Sequence, residues 1–256
     1  MPQEQRLAAA FVELSDVHRP DFEADRYTQV LARHAASLLD VDAAGWALAD
    51  ESGRLDAVGG TTDTVRLLQV VQLRAGEGPA VDSFHSGQPL SVADLNSDSR
   101  WTAFRTAVLG AGFAAVHVLP MRVLGGESGA IGALCLFRRQ PGELGADDLV
   151  VGAALVGVAT GCLLLKRATA RAEKLSAQLQ TALNSRVTIE QAKGILAERR
   201  GTSLDNAFEL MRAFARHNRR RLNDVACAVV TGSPTVTGLI QTSAEKPRTC
   251  LSGWLS

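Results

Sequence analysis

Residues 186–230 read RVTIEQAKGILAERRGTSLDNAFELMRAFARHNRRRLNDVACAVV. Apolar residues recur every three or four positions in three successive segments of this stretch, which is the spacing of amphipathic helices. Gly201 ends the first segment and Gly232 ends the third, since glycine favours helix termination. The second segment opens with a Thr202-x-x-Asp205 pattern that suits a capping box. The stretch therefore predicts an all-α bundle of three short helices.

Basic side chains collect on this bundle. Arg186, Lys193 and Arg200 follow one another at intervals of seven residues, so they share roughly one side of the first helix. The second helix adds Arg212 and Arg216 and ends in three consecutive arginines, 219–221. Such cations neutralise phosphates and release counterions from nucleic acid. A solvated basic face is an equally good interpretation of the charge pattern alone.

The same residues closely resemble the ANTAR domain, an RNA-binding output module of bacterial antitermination regulators. The core of the resemblance is Ile189–Leu196 (IEQAKGIL), and Ala207-Phe208 and Arg221-Leu222 continue it. The resemblance implies an ANTAR domain over residues 171–232 that binds paired RNA hairpins in nascent transcripts and prevents a terminator from forming. A DNA-binding helix-turn-helix is the alternative, but the third helix is short and has no basic residue after Arg221, so DNA is not expected as a partner.

We expect the RNA contacts to come from polar, basic and small residues of the first two helices and the start of the third. Lys193 and Arg186 are the first candidates, while Ala192 and Gly194 could allow close approach of the RNA backbone. For Ala192, packing between helices is an equally good explanation. The complete set of candidates is Arg186, Gln191, Ala192, Lys193, Gly194, Arg212, Arg216, Arg219, Arg220 and Asn223.

A long linker helix is predicted upstream, over residues 150–185. Small and apolar residues recur along it in steps of three and four, which favours a dimerising coiled coil. An amphipathic helix packed on its own domain is the alternative. Residues 149–165 are uncharged and could form a short membrane span, but they fall below the usual length, so no membrane is expected. The predicted dimerisation positions are Leu155, Gly157, Gly161, Leu165, Ala168, Ala172, Leu175, Leu179 and Ala182.

The N-terminal part predicts a single α+β domain with an antiparallel sheet. A helical period covers residues 26–39, and further short helices are expected at 78–86 and 98–111, the last with Trp101 and Phe104 as apolar anchors. The glycine-rich turn 125–129 should join the last two strands in a hairpin. The predicted strands are Gly45–Ala49, Leu55–Val58, Val70–Leu73, Leu90–Val92, Ala115–Met121 and Ala130–Phe137.

These segments resemble a GAF domain, a sensory fold with a PAS-like sheet, over residues 21–165. The matching stretches are GEGPAVDSFHSGQPLSVADLNSDSRW at 76–101 and VLPMRVLGGESGAIGALCLF at 118–137. Relatives bind diverse small molecules or serve as dimerisation units, so the ligand, if there is one, is unknown and no cofactor is predicted. Some relatives carry a cysteine where this chain has Ala80. The order GAF, coiled coil, ANTAR resembles that of actinobacterial regulators.

No catalytic or metal signature is present in the sequence. The four cysteines form no CxxC pair, and the five histidines lack metal-ligand spacing. Residues 126–129 lack the spacing of a nucleophile elbow. The first twenty residues form a separate N-terminal segment without the pattern of a signal peptide, and residues 233–256 have no clear period and are expected to be flexible. These features favour a cytoplasmic protein that is not an enzyme.

The formal net charge is zero, but it is unevenly distributed. Residues 1–165 carry 12 basic and 20 acidic side chains, a net of −8, whereas residues 166–224 carry 13 and 6, a net of +7. The sequence thus predicts a homodimeric regulator in which a GAF-like domain senses a signal or fixes the dimer and ANTAR domains bind tandem stem-loops in nascent mRNA. A cofactor-binding GAF sensor is a further alternative.

Overall fold

The computed structural model describes residues 2–16, 22–122 and 129–240, and these divide into two compact units with the boundary between Thr169 and Ala170. The first unit contains a five-stranded antiparallel sheet in the order β2-β1-β5-β4-β3. Its strands are β1 (Ala43–Ala49), β2 (Leu55–Gly60), β3 (Leu90–Val92), β4 (Ala115–Pro120) and β5 (Gly132–Arg138).

Helices cover both faces of the sheet. They are α1 (Gln3–Ser15), α2 (Ala24–Leu38), α3 (Asp63–Ala75), α4 (Pro79–Ser86), α5 (Thr102–Gly110) and the first part of α6 (Ala146–Arg200). One apolar core contains side chains of α1, α2 and α6, among them Leu14, Leu31 and Leu155. The other lies under α3, α4 and α5 and contains Phe104 and Phe137. An antiparallel sheet with a layer of helices on each face confirms the α+β prediction.

Helix α3 packs directly on the central strand β1 at Gly45. A Cβ at this position would lie 2.6 Å from Gln69 Nε2 and 2.7 Å from Val65 Cγ1, so only glycine fits without a shift. The close approach places two buried glutamines, Gln69 and Gln72, in the core on this face of the sheet.

The predicted strand Val70–Leu73 is wrong, because these residues belong to helix α3. The Thr62 side chain accepts a hydrogen bond from Val65 N and caps the helix, and Gly76 ends it in the left-handed conformation. The buried positions 65, 68, 69 and 72 have helical spacing. A short apolar run such as VVQL fits either structure, and here the capping residues decide in favour of the helix.

The structure also describes most of residues 1–20 and the two strands of the predicted hairpin. The N-terminal segment includes helix α1, whose Ala10 and Leu14 are buried, and Tyr27 Oη donates a hydrogen bond of 2.6 Å to the Leu14 carbonyl. The two predicted hairpin strands pair in register, with Pro120 opposite Ala133. The turn residues 125–128 lie outside the described residues.

The second unit is helical. It contains the C-terminal part of α6, then α7 (Leu204–His217), α8 (Leu222–Val230), a 3₁₀ turn (Pro234–Val236) and α9 (Thr237–Ile240). Helix α6 continues without a break through Asn184 and Ser185, so the predicted linker helix and the first helix of the bundle are one element. The residue that caps α7 is Ser203, which accepts a hydrogen bond from Asn206 N, rather than the predicted Thr202.

The predicted flexible tail 233–256 is wrong for its first eight residues. Val236 is fully buried and Leu239 is 4% exposed, and both belong to the bundle core. Arg200 Nε donates to the Leu239 carbonyl at 2.9 Å and holds α9 against the end of α6. Two buried apolar side chains within such a short segment give no recognisable period, so the sequence pattern did not show it. Residues 241–256 lie outside the described part of the chain.

Candidate nucleic-acid interface

A compact core holds the three helices of the second unit together. Its fully buried side chains include Leu196 of α6, Met211 of α7 and Val225 of α8. Ala192 is also fully buried in this core, so the prediction that it could contact RNA is wrong. Its small side chain allows α6 to pack closely against its neighbours, which is the alternative that the sequence had left open.

Four of the predicted cations are exposed around this core: Arg186, Arg212, Arg216 and Arg219. Arg212 Nη1 lies 3.5 Å from Glu209 Oε1, and both side chains are more than half exposed. Surface ion pairs of this kind contribute little to stability and exchange readily with other anions. These side chains are therefore accessible to phosphate.

Lys193 is held by its own helix and by α7. Its side chain is only 16% exposed, and Nζ lies 3.0 Å from Glu190 Oε2. The ammonium also lies 5.7 Å from the centre of the Phe208 ring, which is within the range of a cation–π contact. Lys193 thus helps to fix α7 on α6, and less of its charge is available to RNA than its place in the sequence pattern suggests.

Gln191 and Gly194 lie on a different side of α6 from the buried Ala192. At about 100° per residue they are turned about 100° and 160° away from it. Both are exposed, and a Cβ at Gly194 would have no neighbour within 4 Å. Gly194 continues a row that contains Leu183 and Val187, which are 58% and 56% exposed. Among the described residues, neither of the two forms a hydrogen bond with the arginines of α7.

Arg220 and Asn223 lie at the junction of α7 and α8. Arg220 Nη1 donates to Thr235 Oγ1 at 3.3 Å, so this arginine partly serves to hold the C-terminal segment. Asn223 is half-buried, and its Oδ1 has no hydrogen-bond partner among the described residues. Arg200, which was not among the candidate contacts, is engaged in the same way by the α9 carbonyls.

The predicted dimerisation positions differ in their surroundings. Leu155 is fully buried in the core of the first unit, so the prediction that it lies in a dimer contact is wrong: it packs within its own chain. Leu165, Leu175 and Leu179 are 55–58% exposed. The remaining members of the set are small residues of α6, exposed or half-buried: Gly157, Gly161, Ala168, Ala172 and Ala182. Leu183 and Val187 were missed, although they continue the series from Leu175 in steps of four.

The interior of the first unit holds an amide and thiol cluster rather than an ionised group. Gln72 Oε1 accepts a hydrogen bond from Ala80 N at 2.8 Å, and Cys135 Sγ donates to Gln69 Oε1 at 3.6 Å. Burial raises the pKa of the Cys135 thiol to about 12, so it stays protonated at neutral pH. Within the described residues, no group of three or more His, Cys, Asp or Glu side chains could hold a metal ion.

Comparison with known families identifies both units. The GAF domain model matches residues 24–163, which is more than half of the chain. The chain belongs to the GAF domain family. The ANTAR domain model matches residues 177–230, so a C-terminal ANTAR domain follows the GAF domain after a long helix. Both resemblances predicted from the sequence are confirmed. Both domains are regulatory, and an ANTAR domain implies RNA binding.

Several solved structures are similar to part of this chain at low sequence identity. The GAF domain of a phosphoenolpyruvate-protein phosphotransferase from Coxiella burnetii is similar with a TM-score of 0.50 and 14% identity, over 66% of this chain and 96% of that one. The corresponding domain from Acinetobacter is similar with a TM-score of 0.48 and 15% identity, over 65% of this chain and 95% of that one. Free methionine-R-sulfoxide reductase from Neisseria meningitidis is similar with a TM-score of 0.49 and 13% identity, over 65% of this chain and 91% of that one. No curated protein gives a significant match.

Among the residues that the structure describes, one helix passes the length and composition test for a membrane span. An 18-residue window of α6 has a mean hydropathy of 2.1, and 33% of that window is buried. The buried residues include Leu155, Val156, Ala159 and Leu163, which belong to the core against the sheet of the GAF domain. A core helix of a soluble protein passes the same test, so this is weak evidence for a membrane.

Proposed function

We propose that this protein is a cytoplasmic RNA-binding regulator of transcription antitermination, whose ANTAR domain binds hairpins in nascent mRNA under the control of its GAF domain. The observation that carries the proposal is the ANTAR match at residues 177–230 on a bundle with exposed arginines. Arg186, Arg212, Arg216 and Arg219 are the phosphate contacts in this proposal, and Asn223 is a candidate base contact because its amide oxygen lacks a partner among the described residues.

The proposal includes a homodimer formed along α6. Leu175 and Leu179 expose more than half of their side chains to solvent, and Ala172 and Ala182 continue the same seam. Exposed leucines at a/d spacing are costly in a monomer and suit a coiled coil. A dimer would hold two ANTAR domains at a fixed separation, so that two hairpins on one RNA could be bound together.

The proposed role is regulatory rather than catalytic. The buried cluster in the GAF domain consists of neutral amides and a protonated thiol, and it contains no base aimed at a nucleophile. We therefore propose that the GAF domain acts by binding a small molecule or by supporting the dimer, and that its state alters the presentation of the ANTAR domains.

The test is binding of the purified full-length protein to an RNA with two hairpins, in competition with duplex DNA and at increasing salt. The variant Arg186→Glu/Arg212→Glu reverses two exposed cations and should reduce RNA affinity at least a hundredfold while sedimentation still reports a dimer. The matched control Arg54→Glu/Arg74→Glu makes the same charge change on the GAF domain and should leave affinity within about threefold, since neither arginine is a proposed RNA contact and salt screens charges beyond about 8 Å.

Two results would contradict the assignment. Preference for duplex DNA over hairpin RNA would favour the DNA-binding alternative. Equal losses of RNA affinity in the two charge-reversal variants would mean that the affinity depends only on the overall charge of the protein. Reversal of Lys193 is unsuitable as a test, because a glutamate there would face Glu190 and lose the contact with Phe208.

A further inference from the structure

A polar row on α6 leads directly away from the core of the ANTAR bundle. Ala192 and Leu196 are fully buried against the neighbouring helices and define the side of α6 that faces the bundle. Counting back from them in steps of three and four, the same side carries Arg171, Lys174, Gln178, Thr181 and Ser185. Arg171 and Lys174 therefore extend from the side of α6 on which α7 and α8 lie, and both precede the ANTAR match, which begins at residue 177.

The direction of α7 leads the turn between α7 and α8 back along this row. The link between α6 and α7 is only three residues long, and the two helices share a core, so they run antiparallel. Lys193 Nζ lies 5.7 Å from the Phe208 ring, which sets the level at which the helices are aligned. At an equal rise per residue in the two helices, His217, nine residues further along α7, comes level with Asn184, nine residues back along α6.

Arg219 and Arg221 follow directly after His217 in this turn, and both are exposed. Lys174 and Arg171 lie 10 and 13 residues beyond Asn184 on α6, about 15–20 Å further at 1.5 Å per residue. The polar row on α6 and the α7–α8 turn thus form two sides of one concave surface. We call the row its wall and the turn its floor. We call this surface, defined by Arg171, Lys174, Arg219 and Arg221, the basic corner.

No described residue neutralises the basic corner. Its four side chains form no ion pair or hydrogen bond within the described ranges, and Glu173 lies about 100° around the helix from Lys174. The positions between its cations are filled by Gln178, Thr181 and Ser185, so the wall offers hydrogen bonds and no apolar anchor. A protein partner normally needs a desolvated aromatic or aliphatic anchor at the centre of its interface.

The backbone at Arg219 adds an independent observation. Its φ is +52°, in the left-handed region, and the turn is fixed by Arg219 N bonding to the Arg216 carbonyl at 3.2 Å and Arg220 N to the Ala215 carbonyl at 2.9 Å. Glycine or asparagine adopts this conformation at lower cost than arginine. Backbone strain of this kind is concentrated at functional positions. Here the strained residue is a cation of the α7–α8 turn.

We propose that the basic corner binds the phosphate backbone of an RNA stem, so that the RNA interface extends from the three ANTAR helices onto α6 upstream of them. This inference rests on the proposed RNA binding and enlarges its surface: Arg219 is already a proposed phosphate contact, and Arg171, Lys174 and Arg221 are added to it. Four unpaired cations around a polar wall match the charge and hydrogen-bonding needs of a phosphate backbone. The corner contributes affinity that does not depend on the sequence of the hairpin loops.

The probe is an RNA with two hairpins, selected for binding to the full-length wild-type protein from a pool with randomised loops. The variant Arg171→Ala/Lys174→Ala should weaken binding about thirtyfold at 0.15 M salt and lower the slope of log K against log salt by about 2, since each phosphate contact on a stem releases about 0.9 counterions. Arg199→Ala, at the other end of the bundle, should change neither quantity.

Two more variants separate charge from structure. Arg219→Gly removes a cation from the floor but suits the left-handed backbone, so it should weaken RNA binding about fivefold without lowering the melting temperature. Gln178→Lys adds a cation to the wall and should strengthen binding and raise the salt slope by about 1. Both effects should persist when the loop sequences are changed.

The outcomes are distinguishable. If wild type retains no RNA from the pool, both the proposed function and this inference are overturned. If wild type binds and Arg171→Ala/Lys174→Ala binds equally well, or Arg199→Ala has the same effect as that variant, only the basic corner is overturned. A loss of duplex DNA binding with unchanged RNA binding would overturn it as well, because the surface would then serve a different partner.

Discussion

His117 on β4 is a buried histidine that contacts a serine, and this serine contacts a carboxylate in turn. Its side chain is 1% exposed, and Nδ1 lies 2.5 Å from Ser91 Oγ, which in turn donates to Glu143 Oε2 at 2.7 Å. This chain of contacts requires Nδ1 to carry the proton in the neutral ring. Nε2 is buried and has no partner among the described residues. Burial of Nε2 therefore disfavours a second proton on the ring.

Burial lowers the pKa of His117 below its ordinary value of 6.5; Glu143 opposes this shift and Arg138 adds to it. The unfolded chain therefore binds a proton below pH 6.5 that the folded chain does not, and the stability of the GAF domain should fall as pH decreases from 7.5 to 5.5. The change contributed by this one group cannot exceed about 1.4 kcal/mol per pH unit.

The variant His117→Gln keeps a donor for Ser91 but does not titrate, so it should flatten this part of the pH profile of the unfolding free energy. His85→Gln removes an exposed histidine and should leave the wild-type slope. A His117→Gln profile parallel to that of wild type would show that other groups cause the pH dependence.

At the scale of the elements, sequence reasoning succeeded where long periods or terminating residues were present. The regular spacing in residues 186–230 predicted the three helices, and Gly201 and Gly232 gave their ends. Ala192 could not be assigned, since an alanine fits a helix contact and an RNA contact equally well, and only the position of α7 decides. Leu155 was assigned to the dimer for a similar reason, because the run of residues 149–165 does not show which side meets the sheet.

The segment 233–240 shows why the rest of the ANTAR unit could not be predicted. The segment is held by Val236 and Leu239 and by the contact of Arg200 with the α9 carbonyls, none of which produces a local pattern. We infer that it is a structural part of the bundle, although it lies beyond the ANTAR match.

Leu239→Ala tests this role. Removing most of a buried leucine side chain costs about 2 kcal/mol or more. At about 1.4 kcal/mol per tenfold change, amide hydrogen exchange in α8 should then accelerate about thirtyfold. The exposed Leu204, changed to alanine in the same unit, should have a small effect. Unchanged protection of α8 in Leu239→Ala would show that the segment only rests on the bundle.

At the scale of the whole molecule, the charge balance reflects two domains of opposite sign. The −8 of residues 1–165 belongs to the GAF domain and the +7 of residues 166–224 to the linker helix and the ANTAR domain. Salt screens charges over about 8 Å at physiological ionic strength, so a bound RNA interacts mainly with the charges nearest to it. A net charge of zero is therefore compatible with strong RNA binding by one end of the chain.

The affinity for tandem hairpins should depend on the dimer rather than on one ANTAR domain. Wild type should bind a two-hairpin RNA 10²- to 10⁴-fold more tightly than either hairpin alone, because the second binding event is intramolecular. The variant Leu175→Asn/Leu179→Asn places polar groups in the seam and should produce a monomer in sedimentation equilibrium. Its affinity for a single hairpin should equal that of wild type, and the gain from the second hairpin should disappear.

Leu67→Asn is the matched control, because Leu67 is 57% exposed on α3 and lies outside the seam, and this variant should keep both the dimer and the gain. A Leu175→Asn/Leu179→Asn protein that remains dimeric would show that other surfaces hold the two chains together. A monomer that keeps the full gain would show that one chain binds both hairpins, and the exposed leucines of α6 would then require a different partner.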